Sequence, residues 1–189
     1  MALTRDFYAR PTLDVAAALI GKVLVHAGRG VTSGTIVEVE AYIGESDPAC
    51  HAAPGPTKRN QPLYGPPGHA YVYLNYGMHY LVNVVTEPEG SPAAVLLRAL
   101  EPLDGIHLMR RRRGRVRNEH DLCRGPGNLT RAMGISLTRN REDLSGGRLY
   151  IEDRGHRPGR IAWSARIGIS VATDRQWRCF VADSPSVSG

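Results

Sequence analysis

The segment Thr35–Ile43, reading TIVEVEAYI, constrains this chain more than any other. Its residues alternate, with Val37, Val39, Ala41 and Ile43 on one face of a strand and Ile36, Glu38, Glu40 and Tyr42 on the other. Such a strand needs partners. Lys22–His26 is apolar and β-branched enough to supply one, and Gly28, Gly30 and Gly34 mark a hairpin-like connection between the two. Further strand-like runs follow at Ala70–Leu74, Tyr80–Val85, Ala94–Leu100, Leu149–Glu152, Ile161–Ile169 and Arg178–Val181. Helices are expected over Thr12–Ile20, with Asp14 near its start and Gly21 behind it, over Asp104–Arg113, and from Gly125-Pro126-Gly127 to about Gly134. There is no internal repeat and no linker with domain-sized material on both sides. The expectation is one α+β domain, residues 1–189, with mostly antiparallel strands.

A chain of 189 residues can bury a real core, and 42% hydrophobic with 22% charged residues excludes wholesale disorder. No apolar stretch is long enough to cross a bilayer, and Met1–Asp6 lacks the basic-then-apolar layout of a secretory signal. A soluble, cytoplasmic protein without a membrane partner is expected. The net charge of +6 is built from 22 arginines and only two lysines, Lys22 and Lys58. That points to a polyanionic partner, most simply nucleic acid, against the alternative of a compositional bias. Cys50, Cys123 and Cys179 are odd in number and have no C-x-x-C spacing, so free thiols in a reducing compartment are expected. The seven histidines show no metal-like spacing, and phosphate-loop, dinucleotide-binding, nucleophile-elbow and H-E-x-x-H motifs are all missing.

Glu38 and Glu40 are the first candidates for chemistry. On one strand face their Cα atoms should lie roughly 6.5–7 Å apart, and paired carboxylates can divide acid and base roles. The alternative is a solvent-facing strand surface. Tyr42 on the same face, with a polar loop carrying His51 close behind, favours Glu40 as a base that activates water. Half of the eight tyrosines fall in Tyr71–Tyr80. Alternation puts Tyr71 and Tyr73 on one face, either on the core or lining a pocket, while Asn75-Tyr76-Gly77 has turn chemistry. A tyrosine at a hairpin tip forgoes burial, and insertion between base pairs is one compensating role. Arg98, inside the apolar run Val95–Leu100, must be paired, either in a structural ion pair or beside Glu40. Gly125-Pro126-Gly127 opens a helix whose free amides could hold a phosphate. Glu45–Gly68 is a long polar loop, and Arg110–Arg113 with Arg115 and Arg117 reads as a solvated or mobile surface segment.

Taken together these segments resemble the alkyladenine (3-methyladenine) DNA glycosylase family. Val37–Gly44 with Asp47–His51 is similar to its catalytic segment, and Tyr71–Asn83 to its inserting hairpin. Val95–Pro102, Gly125-Pro126 and the closing Ser184–Ser188 match further blocks, in the family's order over nearly the whole chain. The resemblance implies a single mixed domain on a curved, mostly antiparallel sheet with flanking helices and a protruding β-hairpin. It implies Glu40 as general base and Arg98 beside the attacked water. Tyr42, His51 and Tyr73 would sandwich and contact the flipped base, with Asn83 on the pocket wall, and Tyr76 would fill the gap left in the duplex. Met78, His79, Gly125 and Gly127 are implied as contacts to the DNA backbone or groove, although His79 departs from the tyrosine usual there.

The implied activity is hydrolysis of the N-glycosidic bond of an alkylated or deaminated purine in double-stranded DNA, by a monomer, with no cofactor and no metal. With Lys22 and Lys58 both away from the sugar, a lyase acting through a Schiff base is not expected. Two rivals remain: a non-catalytic nucleic-acid-binding domain, and a hydrolase of free nucleosides or glycosides using Glu38 with Glu40.

Overall fold

A computed structural model describes residues Met1–Gly189. Every paired strand is antiparallel, and β2 (Gly30–Ile43) is the strand on which the others depend. Its first half pairs with β1 (Val23–Gly28), its second half with β8 (Arg178–Val181), and its opposite edge with β5 (Ala93–Pro102) almost throughout. The path runs β3-β4-β5-β2-β1-β6, where β3 is Ala70–Asn75, β4 is His79–Val85 and β6 is Leu149–Glu152. The short β7 (Ile161–Ser164) pairs with β8. Strands β3 and β4 form the protruding hairpin.

Helices α1 (Arg5–Tyr8), α2 (Thr12–Leu19), α3 (Ile106–Arg113) and α4 (Pro126–Met133) flank the sheet. They enclose a core of 31 buried residues that includes Leu19, Ile36, Val39, Leu97, Met109 and Leu129. A second cluster of six, among them Cys50, Leu63, Tyr71 and Ala94, lies with Tyr42 and Tyr73. The three cysteines are buried and unpaired.

The β2–β5 ladder carries two compensating irregularities. Ile36 pairs with Leu100, Glu38 with Ala99 and Val39 with Leu97, so Val37 and Arg98 are each an extra residue in their own strand. Bulges bend a strand and re-aim its side chains. Here they stand where the two glutamates and the arginine meet.

Several expectations change. The hairpin turns at Gly28–Gly30, and β2 begins at Gly30 rather than Thr35. β2 is not amphipathic towards solvent: Ile36 to Ala41 are all buried, because α2 and the core cover one face and the chain's own polar segments cover the other. The strand expected to reach Ile169 stops at Ser164, since the chain must turn away to bring Ile167 to Glu40. Glu45–Gly68 is organised around Asn60, whose amide donates to the His51 and Gly55 carbonyls at 2.7 and 2.8 Å. The arginine run is not a solvated segment throughout. Arg112 donates to Ala132 O at 2.9 Å, Arg113 to Leu122 O at 2.9 Å, and Arg131 back to Arg112 O at 2.9 Å, which satisfies carbonyls that helix ends leave open.

Candidate active site

Between the β3–β4 hairpin, the 45–68 loop and the segment after β7 lies a cavity of about 410 Å³, within the range of small-molecule sites. Its lining includes Tyr42, His51, Tyr73, Asn83, Arg98 and Ile167, and Tyr76 and Pro126 also contribute. The sheet thus brings together residues that lie up to 127 positions apart in the chain.

Glu40 stands behind this lining, fully buried, and all three groups that hold it line the cavity. Its Oε1 accepts the Ile167 backbone N–H at 2.7 Å. Its Oε2 accepts the Tyr42 hydroxyl at 2.9 Å and lies 3.3 Å from Arg98 Nη1. Each neighbour is a donor, and a carboxylate oxygen has two acceptor positions, so Oε1 keeps one for a water molecule. Burial, and then the neighbouring Glu40 charge, push the Tyr42 phenol well above its ordinary range, so it remains a donor.

Glu38 is also fully buried, yet it takes no part in the cavity. It accepts from Arg98 Nε at 2.9 Å, Arg178 Nε at 2.7 Å, Ser188 N at 2.7 Å and Ser188 Oγ at 2.9 Å. This carboxylate is committed to holding other groups. The alternative of a solvent-facing strand surface therefore fails for both glutamates, and a two-carboxylate site is not formed.

The aromatic side of the cavity is continuous. The His51 ring centroid lies 4.5 Å from that of Tyr73, Tyr71 and Tyr73 are 5.2 Å apart, and His51 Nδ1 is 2.9 Å from the Tyr71 hydroxyl. Burial, reinforced by Arg59, lowers the His51 pKa, while burial raises that of Tyr71 to about 12. Both are neutral near pH 7. Asn83 pairs with Tyr71 across the hairpin and donates to its carbonyl at 3.1 Å.

At the hairpin tip Tyr76 is 86% exposed and Met78 73% exposed. Tyr76 has φ +48° and Gly77 φ +69°, the pair of positive φ values a tight hairpin turn requires. His79 follows at the start of β4, also exposed. Gly127 packs on it so closely that a Cβ there would stand 2.8 Å from the His79 ring. Gly125 caps the start of α4. The helix entrance is thus joined to the hairpin base, and Pro126 reaches the cavity.

The sequence reading missed the group beneath Tyr42. Arg166 makes two bonds to Asp47, at 2.6 and 2.9 Å, donates to Ala41 O at 3.0 Å, and lies 4.6 Å from the Tyr42 ring centroid. Burial alone would raise the Asp47 pKa; the bonds and charge of Arg166 outweigh it and hold the carboxyl below its usual value. An arginine inside Ile161–Ile169, like Arg98 in its own strand, was the available signal. Ile167 acts through its backbone and leaves no signal of that kind.

The Methylpurine-DNA glycosylase (MPG) family model matches residues 6–185. A Chlorobium phaeobacteroides protein named "Putative 3-methyladenine DNA glycosylase" is 52% identical over 190 residues, covering 99% of this chain and 95% of its own. Proteins of the same name from Methanocella arvoryzae and Rhodopseudomonas palustris are 49% and 50% identical, covering 98% of this chain and 95% and 87% of theirs.

Proposed function

The chain belongs to the methylpurine-DNA glycosylase family, and we propose that it is a base-excision repair enzyme in which Glu40 activates water to release a damaged purine from double-stranded DNA. The observation that carries this reading is the setting of Glu40, a buried carboxylate surrounded only by donors and backed against an aromatic cavity.

C1′ of a stacked nucleotide cannot be reached, so the nucleotide is extruded, at a cost of a few kcal/mol that is least for a poorly paired base. Tyr76 enters the vacated space, while Met78, His79 and the Gly125–Gly127 turn face the DNA backbone. Arginine contacts with phosphate make binding salt-sensitive. Tyr42, His51 and Tyr73 receive the base, with stacking and cation–π attraction favouring a cationic alkylated purine, and Asn83 bounds the pocket. Water held by Glu40 and Arg98 gives its proton to Glu40 as its oxygen bonds to C1′. The C1′–N bond breaks and its electron pair leaves with the base, neutralising an alkylated purine.

An abasic site remains. Neither lysine lines the cavity, and Lys22 is paired with Asp153, which supports hydrolysis without strand cleavage. The four donors on Glu38 argue against a nucleosidase that divides roles between two carboxylates. A monomer acting inside the cell needs no further subunit for this chemistry.

The test is single-turnover release from a duplex bearing one 3-methyladenine or one hypoxanthine, with chelator present. Wild type should release base, and Glu40→Gln should slow release by about 10²- to 10⁴-fold, the usual worth of a general base, while binding the duplex equally well. Wild-type binding without release of either base would leave a binding module.

A further inference from the structure

The last residues of the chain close a ring of hydrogen bonds around Arg98. Ser188 Oγ accepts from Arg98 Nη2 at 3.1 Å and lies 2.9 Å from Glu38 Oε1, to which it donates. Arg98 Nε donates to that same Glu38 oxygen at 2.9 Å. The tail is itself held in place: Ser188 N donates to Glu38 Oε2 at 2.7 Å, Ser188 O accepts from Arg178 Nη2 at 2.6 Å, and Val187 O accepts from Arg124 Nε at 2.9 Å.

Arg98 thus has two of its three nitrogens fixed from behind, by Glu38 and by Ser188. Nη1, 3.3 Å from Glu40 Oε2, remains to meet the reacting groups. A guanidinium is planar, so fixing two corners fixes the third. Glu38 alone would still allow Arg98 to swing about the Nε bond; the second bond from Nη2 removes that freedom.

We propose that Ser188 is a positioning residue for base release, its hydroxyl setting the orientation of Arg98 towards Glu40. This rests on the reading of Glu40 and Arg98 given above. It assigns the tail a part in rate rather than in DNA affinity, since Ser188 lies behind Arg98 and does not line the cavity.

Three proteins separate the possibilities: wild type, Ser188→Ala and Ser188→Thr. The alanine variant keeps both backbone bonds and loses only the bridge, and the threonine variant restores a hydroxyl at the same carbon. Single-turnover release by Ser188→Ala should fall about 10- to 100-fold, as a misplaced group near the chemistry costs, with affinity for the lesion duplex within about twofold. Ser188→Thr should recover most of the rate. A second readout needs no activity: the Arg98 Nε–H signal in proton–nitrogen spectra, sharp in wild type and Ser188→Thr, should broaden or shift in Ser188→Ala.

An alanine variant with wild-type rate and an unchanged Arg98 signal overturns the proposal. So does a slowed alanine variant that threonine fails to rescue, or one whose loss is all in binding. These outcomes leave the comparison of wild type with Glu40→Gln untouched, so the two readings fail separately.

Discussion

The backbone N–H of Ile167 donates to Glu40 Oε1 at 2.7 Å across 127 residues of chain. Of the substitutions at position 167 only proline removes this donor, so the bond to the carboxylate does not depend on the isoleucine side chain. It also explains why β7 ends where it does: a strand continued to Ile169 would spend that N–H on a ladder.

Tyr42→Phe isolates the other oxygen. The ring would keep its place over Arg166 while Glu40 Oε2 loses the hydroxyl at 2.9 Å and retains Arg98. A hydrogen bond to a charged group contributes about 1.5–3 kcal/mol. Base release should therefore slow by roughly 10- to 100-fold, with duplex affinity preserved. A wild-type rate in single-turnover assays would mean that Tyr42 serves only as a stacking surface.

Asp47→Asn tests the Arg166 pair. Both side chains are fully buried and joined by two bonds, so removing the charge of one leaves the other without its counter-ion. Breaking such a pair costs about 3–5 kcal/mol, measurable as a lower midpoint in urea. The same pair sets an acid limit. The Asp47 pKa is lower folded than unfolded, so its contribution is present above the unfolded value and is lost as pH falls through the folded one. Asp47→Asn should flatten that part of the stability profile.

His51 adds a second, milder pH effect. Its folded pKa lies below the ordinary 6.5 because burial disfavours the charged ring. The unfolded chain therefore binds the proton first, and stability declines as pH drops below about 6.5 towards the folded value. Base release should show no inflection from His51 above that pH. A His51→Gln variant should remove the decline seen by thermal melting between pH 6.5 and 5.

Tyr76→Gly should separate hairpin strain from DNA contact. Tyr76 holds φ +48° with its ring in solvent, a conformation glycine adopts freely, so the free protein should melt no lower than wild type. Excision from duplex should slow, while excision from single-stranded DNA, which has no stack to fill, should change little. Equal slowing on both substrates would assign Tyr76 to the pocket instead of the gap.

Helix α1 was not expected, and the start of β2 and the end of β7 were each misplaced by five residues. Most strands and helices were legible to within a few residues because alternation and Gly/Pro punctuation are local signals. Val95–Leu100 was one: its apolar run demanded a partner for Arg98, and the structure supplies two glutamates and Ser188. The tyrosine-rich hairpin was another, since Asn75-Tyr76-Gly77 carries its own turn.

What the amino-acid order determined alone was the kind of fold, an antiparallel sheet with short helices, and the residue types available for chemistry. The order favoured Glu40, through Tyr42 and the polar loop behind it, but left Glu38 open between sharing that chemistry and facing solvent. On a regular strand the spacing alone leaves two such glutamates equivalent, because both side chains fall on the same face. Only the paired bulges at Val37 and Arg98, with the arrival of Ile167 at one carboxylate and Ser188 at the other, leave Glu40 against the cavity lining and Glu38 committed as an anchor. Those contacts join segments more than 120 residues apart, and hydrogen-bond geometry over such separations exists only once the sheet has closed.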